Sequence, residues 1–170
     1  GIKWRTVADA AGEQKYIACN ADEGDSGTFS DRMLMEGDPF SLIEGMAIAG
    51  RAVGAHHGYI YIRSEYPHAI RTMRRAVELF YDAGFFKNIV DGTEKDFNIE
   101  IRVGAGAYIC GEESSMLESI EGKRGQVKVK PPIPAISGLF GKPTIINNVL
   151  TLASAPVILA KGAAFYENFG

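Results

Sequence analysis

Two hydrophobic periodicities take turns along the chain, one near 2 and one near 3.6. Residues 15–19 (KYIAC) and 58–63 (GYIYIR) are short runs of strand-forming types and predict two buried strands. Asp38 and Pro39 form an N-cap and first-turn pair ahead of FSLIEGMAIAGRAV, which predicts a largely buried helix over 40–53. Over 67–83, Ile70, Met73, Val77 and Phe80 recur at helical spacing; Arg71, Arg74, Arg75 and Glu78 fill the other face, and Gly84 is the stop. DFNIEIRV (96–103) alternates strictly, with Phe97, Ile99, Ile101 and Val103 on one side, so it predicts a strand whose other face is polar or wet. Helices are predicted over 112–122 and, more apolar, over 147–161, with another short one after it. KVKPPIP (128–134) must be extended, because adjacent prolines exclude a helix.

Strand, helix, strand, helix, strand, helix is the order of an α/β domain, Rossmann-like and three-layered, with a largely parallel sheet. In such sheets ligands sit beyond the carboxyl ends of the strands. Those ends carry NADEGDSG, RSEYP and GAGAYICGEE, so the loops richest in chemistry converge on one rim. There is no internal repeat, low-complexity segment or Pro/Ser linker, so residues 1–170 form one domain. The start at GIKWRTV, without a Met, and the end at YENFG set the expectation of a piece of a longer, multidomain polypeptide.

Composition narrows the function classes. At 170 residues, with 46% hydrophobic and 23% charged positions, the chain is ordinary for a globular domain. A net charge of −3 argues against nucleic acid as the main partner, which calls for clustered Lys and Arg. No apolar run reaches the ~20 residues of a membrane span, and no secretory signal is visible. Cys19 and Cys110 read as free, buried thiols in a reducing, cytoplasmic compartment. Glycine is in excess, 20 residues of 170, against a usual ~7%. Tight loops with close backbone approach follow from it.

GDSGT (24–28) looks like the loop around a serine-protease nucleophile, but that architecture needs a His and an Asp earlier in the chain, and the first histidine is His56. The acidic set Asp22, Glu23, Asp25 and Asp31 lacks EF-hand spacing. It leaves a solvated loop, a hard-cation site, or acceptors for sugar hydroxyls or a heteroaromatic ring. His56 and His57 precede a strand without a nearby Cys or carboxylate and read as a surface turn, as does His68 at a helix start. No catalytic histidine and no metal ligand is assigned. Lys123, Arg124, Lys128 and Lys130 are either a solvated cluster ending a helix or a source of one ligand contact, with Lys130 fixed by Pro131 and Pro132.

Two segments carry more. GAGAYICGEE (104–113) brings three glycines to a turn between strand and helix, the usual preparation for a phosphate, yet Glu112 and Glu113 would repel one. TIINNVLT (144–151) sets Asn147, Asn148 and Thr151 at a predicted helix start. One asparagine is explained as an N-cap; the rest would aim donors outward, a seat for phosphate without nearby acids. The glycine turn would then face something flat and uncharged, with the carboxylates toward N–H or hydroxyl groups. A flavin or nicotinamide mononucleotide has both ends.

CNADEGDSGTFSDR, GAGAYICGEESSMLESIEGKRG, KPPIPA and GKPTIINNVLTL together resemble the FMN- and NADH-binding flavoprotein subunit of respiratory complex I, a module shared with NAD-reducing hydrogenases and NAD-dependent formate dehydrogenases. The likeness runs over nearly the whole chain, and DEGDSGTFSDRMLMEGDPFSLIEGM is most similar in wording to the flavin-carrying β subunit of the formate dehydrogenases. The resemblance implies FMN contacts at Lys3, Asn20, Asp22, Glu23, Tyr108, Gly111, Glu112, Asn147, Asn148 and Thr151. It implies NAD contacts at Asp25, Glu113 and Lys130, with Glu113 tuning the cofactors. It further implies hydride transfer between NAD(H) and FMN without an acid–base side chain, and iron–sulfur partner subunits with a 4Fe–4S cluster outside this segment. The alternatives are the equivalent subunit of an NADH:quinone oxidoreductase or hydrogenase, and a flavin-less scaffold. The family's glycine-rich loop before Gly1 and its iron–sulfur segment lie outside these residues. Thr6 and Ile133 stand where complex I relatives place phenylalanines against adenine, and Leu150 replaces the glutamate of NNVET.

Overall fold

A computed structural model of the chain describes residues 1–89 and 95–168. Four strands, β1 (Tyr16–Ala21), β2 (His57–Arg63), β3 (Asn98–Gly104) and β4 (Thr144–Asn148), form one sheet in the order β3-β2-β1-β4, parallel throughout. The helices are α1 (Ile2–Asp9), α2 (Ser30–Gly37), α3 (Pro39–Val53), α4 (Pro67–Asp82), α5 (Glu113–Ile120), α6 (Val149–Lys161) and α7 (Ala163–Glu167). The α/β, three-layer architecture predicted from the element order is the one observed.

The two faces of the sheet are covered unequally. Ile17, Cys19, Ile60, Ile62 and Ile145 meet α3, α4 and α6 in the main core. Ala18, Tyr59, Tyr61 and Ile146 meet Met116, Leu117 and Ile120 of α5 in a smaller one. Helix α3 starts as its sequence demands, with Pro39 in the first turn and the Asp38 carboxylate accepting from Ser41 N–H, and it stops at Gly54 in the left-handed region (φ 76°). Cys19 and Cys110 are buried and free. No helix among the described residues is long and apolar enough to cross a membrane.

Several sequence expectations need correction. TIINN is a strand that runs into the helix start: Thr144, Ile145 and Ile146 are buried in the sheet, and α6 begins at Val149, two residues later than predicted, with Asn148 as its N-cap, as expected of one asparagine. Over 108–111 the chain makes a 3₁₀ turn, so α5 runs from Glu113 and Glu112 becomes its cap. The alternation of β3 buries Phe97 and Ile99 but leaves Val103 exposed, because β3 is the sheet edge. Helices α1 and α2 had no clear local signature. His57 is no surface turn: it opens β2, and its Nε2 lies 3.9 Å from Glu100 Oε2 on the neighbouring strand. Parallel pairing, which sets Tyr59 opposite Glu100, brings this carboxylate in from a distant part of the chain. His68 is likewise 3.7 Å from Glu36 Oε2.

Candidate functional site

An all-parallel sheet sends every strand's carboxyl end to one edge. The chain runs outward from β1 to β2 and β3 and then crosses back to β4, so the strand order reverses direction between β1 and β4. Ligand crevices form at such points. A cleft of about 510 Å³ lies there, lined by Lys3, Asn20, Gly111, Glu112, Glu113, Lys130, Ile146, Asn147, Asn148 and Thr151. Nine of the thirteen residues singled out in the sequence therefore line one space, the paired asparagines and the diglutamate turn among them.

The cleft has two chemically opposite ends. At one, Asn148 Oδ1 accepts from Thr151 N–H at 2.9 Å and Asn147 Oδ1 accepts from the Trp4 indole at 2.9 Å. With both amide oxygens occupied, the amide nitrogens are left as donors beside Lys3, which has no ion-pair partner among the described residues. At the other end, Glu112 Oε2 caps α5, accepting from Ser114 N–H at 2.9 Å and Ser115 N–H at 3.0 Å. Lys130 Nζ donates to Glu112 Oε1 at 3.3 Å and also to Glu113 Oε1. Burial pushes the Glu112 carboxyl up, but hydrogen bonds from Ser114, Ser115 and Lys130 outweigh it and hold the group below its usual range. The hydrogen bond to Glu113 raises the Lys130 ammonium. The acidic end thus keeps one uncompensated negative charge, two carboxylates against one ammonium.

Between the ends, Asn20 is spent structurally. Its Nδ2 donates to Gly111 O at 2.9 Å and its Oδ1 accepts from Asp22 N–H at 3.1 Å, tying β1 to the glycine turn. A Cβ on Gly111 would meet only Asp22 O, at 3.6 Å; everything else around it is open cleft, which a side chain would enter.

Four of the singled-out residues lie outside this lining. Tyr108 packs on Gly24, where a Cβ would come within 2.9 Å of the ring, and its hydroxyl donates to Asp25 Oδ1 at 3.0 Å. Two loops of the rim are thereby joined. Asp22 is half-buried; burial raises its carboxyl, Arg63 opposes this and Glu65 adds to it. Glu23 turns inward: its carboxylate accepts from Asp31 N–H at 2.8 Å, Ser30 Oγ at 3.3 Å and Tyr66 Oη at 3.0 Å. It caps α2 from outside the helix, which is why α2 has no local cap signature. Thr6 Oγ1 donates to Ile2 O within α1, Ile133 is half-exposed, and nothing in the structure explains Leu150.

Sequence reading missed Trp4, which holds Asn147, and Arg63, which donates to Glu23 O at 2.5 Å and Glu65 Oε1 at 2.9 Å. The acidic set splits between roles, and no group of three or more metal-ligating side chains occurs among the described residues.

The buried pair Glu23 and Asp31 carries a pH prediction. Burial, and then the Glu23 charge, push the Asp31 carboxyl up to about 6. A raised carboxyl contributes stability that is fully present below its unfolded value near 4 and is lost as the pH rises through about 6. Asp31→Asn keeps the shape and removes that loss. Thermal melts should show the variant more stable by about 1–2 kcal/mol at pH 7.5 and level with the parent near pH 4. A gap independent of pH would show that Asp31 is not the group responsible.

Residues 1–157 match the family model described as the Nuo51 FMN-binding domain. An NADH-quinone oxidoreductase subunit of Rhizobium meliloti (strain 1021) is 51% identical over 170 residues, covering 100% of this chain and 40% of the relative. NADP-reducing hydrogenase subunit HndC of Solidesulfovibrio fructosivorans is 48% identical, covering 100% of this chain and 34% of its own. A crystal structure of an NAD+-reducing NiFe-hydrogenase in the H2-reduced state superposes with a TM-score of 0.87 at 42% identity, over 96% of this chain and 28% of that one. The chain thus spans at most about two-fifths of the length of these relatives. A match this extended, over the segments that build the cleft, places the chain in the Nuo51 FMN-binding domain family.

Proposed function

We propose that residues 1–170 are the FMN- and NADH-binding domain of a larger redox enzyme that exchanges hydride between NAD(H) and FMN. The observation that carries this reading is the polarity of the cleft: a donor-only end at Lys3, Asn147 and Asn148 opposite an acceptor end at Glu112 and Glu113, with open backbone at Gly111 between them. FMN matches that order, with a phosphate at one end and a planar ring at the other. When bound, it supplies two-electron chemistry toward NADH and one-electron chemistry toward an iron–sulfur cluster beyond this segment.

Each remaining step belongs to the chain. Lys3 and the two asparagine amides would hold the phosphate. The Asn20–Gly111 staple keeps the turn under the ring in place. Asp22, with its raised carboxyl, and Glu23 would act on the flavin through the loop they shape. Asp25 and Tyr108 border the approach for the nicotinamide nucleotide. Lys130 is the movable charge: it pairs with Glu112 and Glu113, offsetting one of their two negative charges, until a dinucleotide offers it a pyrophosphate. No side chain needs to move a proton.

Within the family we propose formate as the electron donor, in a cytoplasmic complex with iron–sulfur partner subunits, on the wording of residues 22–46. The relatives named above support a second reading, a quinone oxidoreductase or hydrogenase subunit. Assay of the purified complex with formate, hydrogen or quinone separates them.

The domain reading is tested by loading the protein with FMN and adding NADH. Retention of yellow colour that NADH bleaches is expected; a protein that keeps no FMN is the scaffold instead. Glu113→Gln should tighten NADH about 3–10-fold, because one repelling carboxylate is gone and Lys130 is released. Unchanged NADH affinity would remove Glu113 from the site.

A further inference from the structure

We propose that Trp4 is a positioning residue that makes the basic end of the cleft selective for phosphate. The inference rests on the reading of that cleft as an FMN site. Trp4 is the chain's one tryptophan. Its Nε1–H donates to Asn147 Oδ1 at 2.9 Å across 143 residues of sequence. It lines the neighbouring apolar groove with Ile2, Ile48 and Ile158, behind the amide, and does not line the cleft itself.

An indole can only donate, and a carboxamide accepts only through its oxygen. The bond therefore permits one orientation of Asn147: oxygen toward Trp4, nitrogen toward the cleft. Without the indole, nothing distinguishes the two rotations of this amide, and half of them would set an oxygen against a bound phosphate. Asn148 is polarised in the same sense by Thr151 N–H, so the two amides and the Lys3 ammonium present hydrogens alone. A phosphate uses every one of them. The uncharged ribityl hydroxyl that riboflavin carries in its place does not.

The experiment compares FMN with riboflavin, by equilibrium binding to the full-length protein. Wild type should prefer FMN. Trp4→Phe keeps the ring that packs in the groove and removes only the N–H; it should weaken FMN about five- to tenfold and leave riboflavin within twofold. Should this variant fold poorly, the wild-type protein labelled at tryptophan answers through the indole N–H resonance assigned to Trp4. That signal should shift with FMN and with inorganic phosphate, and stay in place with riboflavin. If Trp4→Phe weakens FMN and riboflavin alike, or neither, the indole serves packing only and the inference is overturned. A resonance that ignores phosphate overturns it too. If wild type itself fails to prefer FMN over riboflavin, the assignment of the phosphate end fails first, and this inference goes with it.

Discussion

Gly45→Ala should destabilise the protein by about 3 kcal/mol or more, the upper range for forcing an atom into a packed core. Helix α3 crosses α6 at this residue. A Cβ there would stand 2.0 Å from Leu152 O and 2.6 Å from Leu152 C. Both are backbone atoms, so no side chain can rotate away and the helices must separate. A melting temperature lower by roughly 6–12 °C is the expected reading for a domain of this size. The damage should extend to the cleft, since α6 carries Thr151 and is capped by Asn148. Gly37→Ala is the control: nothing lies within 4 Å of its Cβ position. It should be neutral or slightly stabilising. Equal melting temperatures for parent and Gly45→Ala would mean that α3 and α6 do not approach as closely as described.

Lys3→Glu should cost about 100-fold in FMN affinity, because it replaces the one cation of the donor end by a charge that repels phosphate. Lys3 is exposed and unpaired among the described residues, so the fold should tolerate the change and melting should shift little. Lys3→Met, with a similar stem and no charge, should fall in between at about tenfold. Riboflavin binding should respond to neither. Undiminished FMN binding by Lys3→Glu would move the phosphate away from Asn147 and Asn148 and undo the orientation proposed for the ring.

Local pattern reached far in this chain. The Asp38–Pro39 start of α3, the apolar stripe of α4 and the buried runs of β1 and β2 were legible because each is written within one or two turns of its own sequence. The parallel sheet followed from their order. Three elements were not legible, each for a physical reason. β4 ends at Asn147 and Asn148, and the true cap signal of Asn148 for α6 masks the strand before it; the burial of Ile145 and Ile146 against the two faces of the sheet is set by tertiary pairing. α2 takes its cap from Glu23, outside the helix. α1 buries only Val7 fully and is otherwise held by Trp4 on Asn147 and by Lys15 Nζ on Ala8 O, which leaves too few apolar positions for a periodicity to read.

By itself the sequence determined the class of fold and the edge of the sheet on which its glycine- and carboxylate-rich loops converge. Those depend on composition and spacing within short windows. Which end of the cleft is acidic and which basic, that Lys130 closes on Glu112 and Glu113, that Tyr108 reaches Asp25, and that Trp4 orients Asn147 were decided only by the tertiary structure. Each is a bond between residues remote in the chain, and the register of the parallel strands and the crossing of the helices, not any local pattern, set its distance.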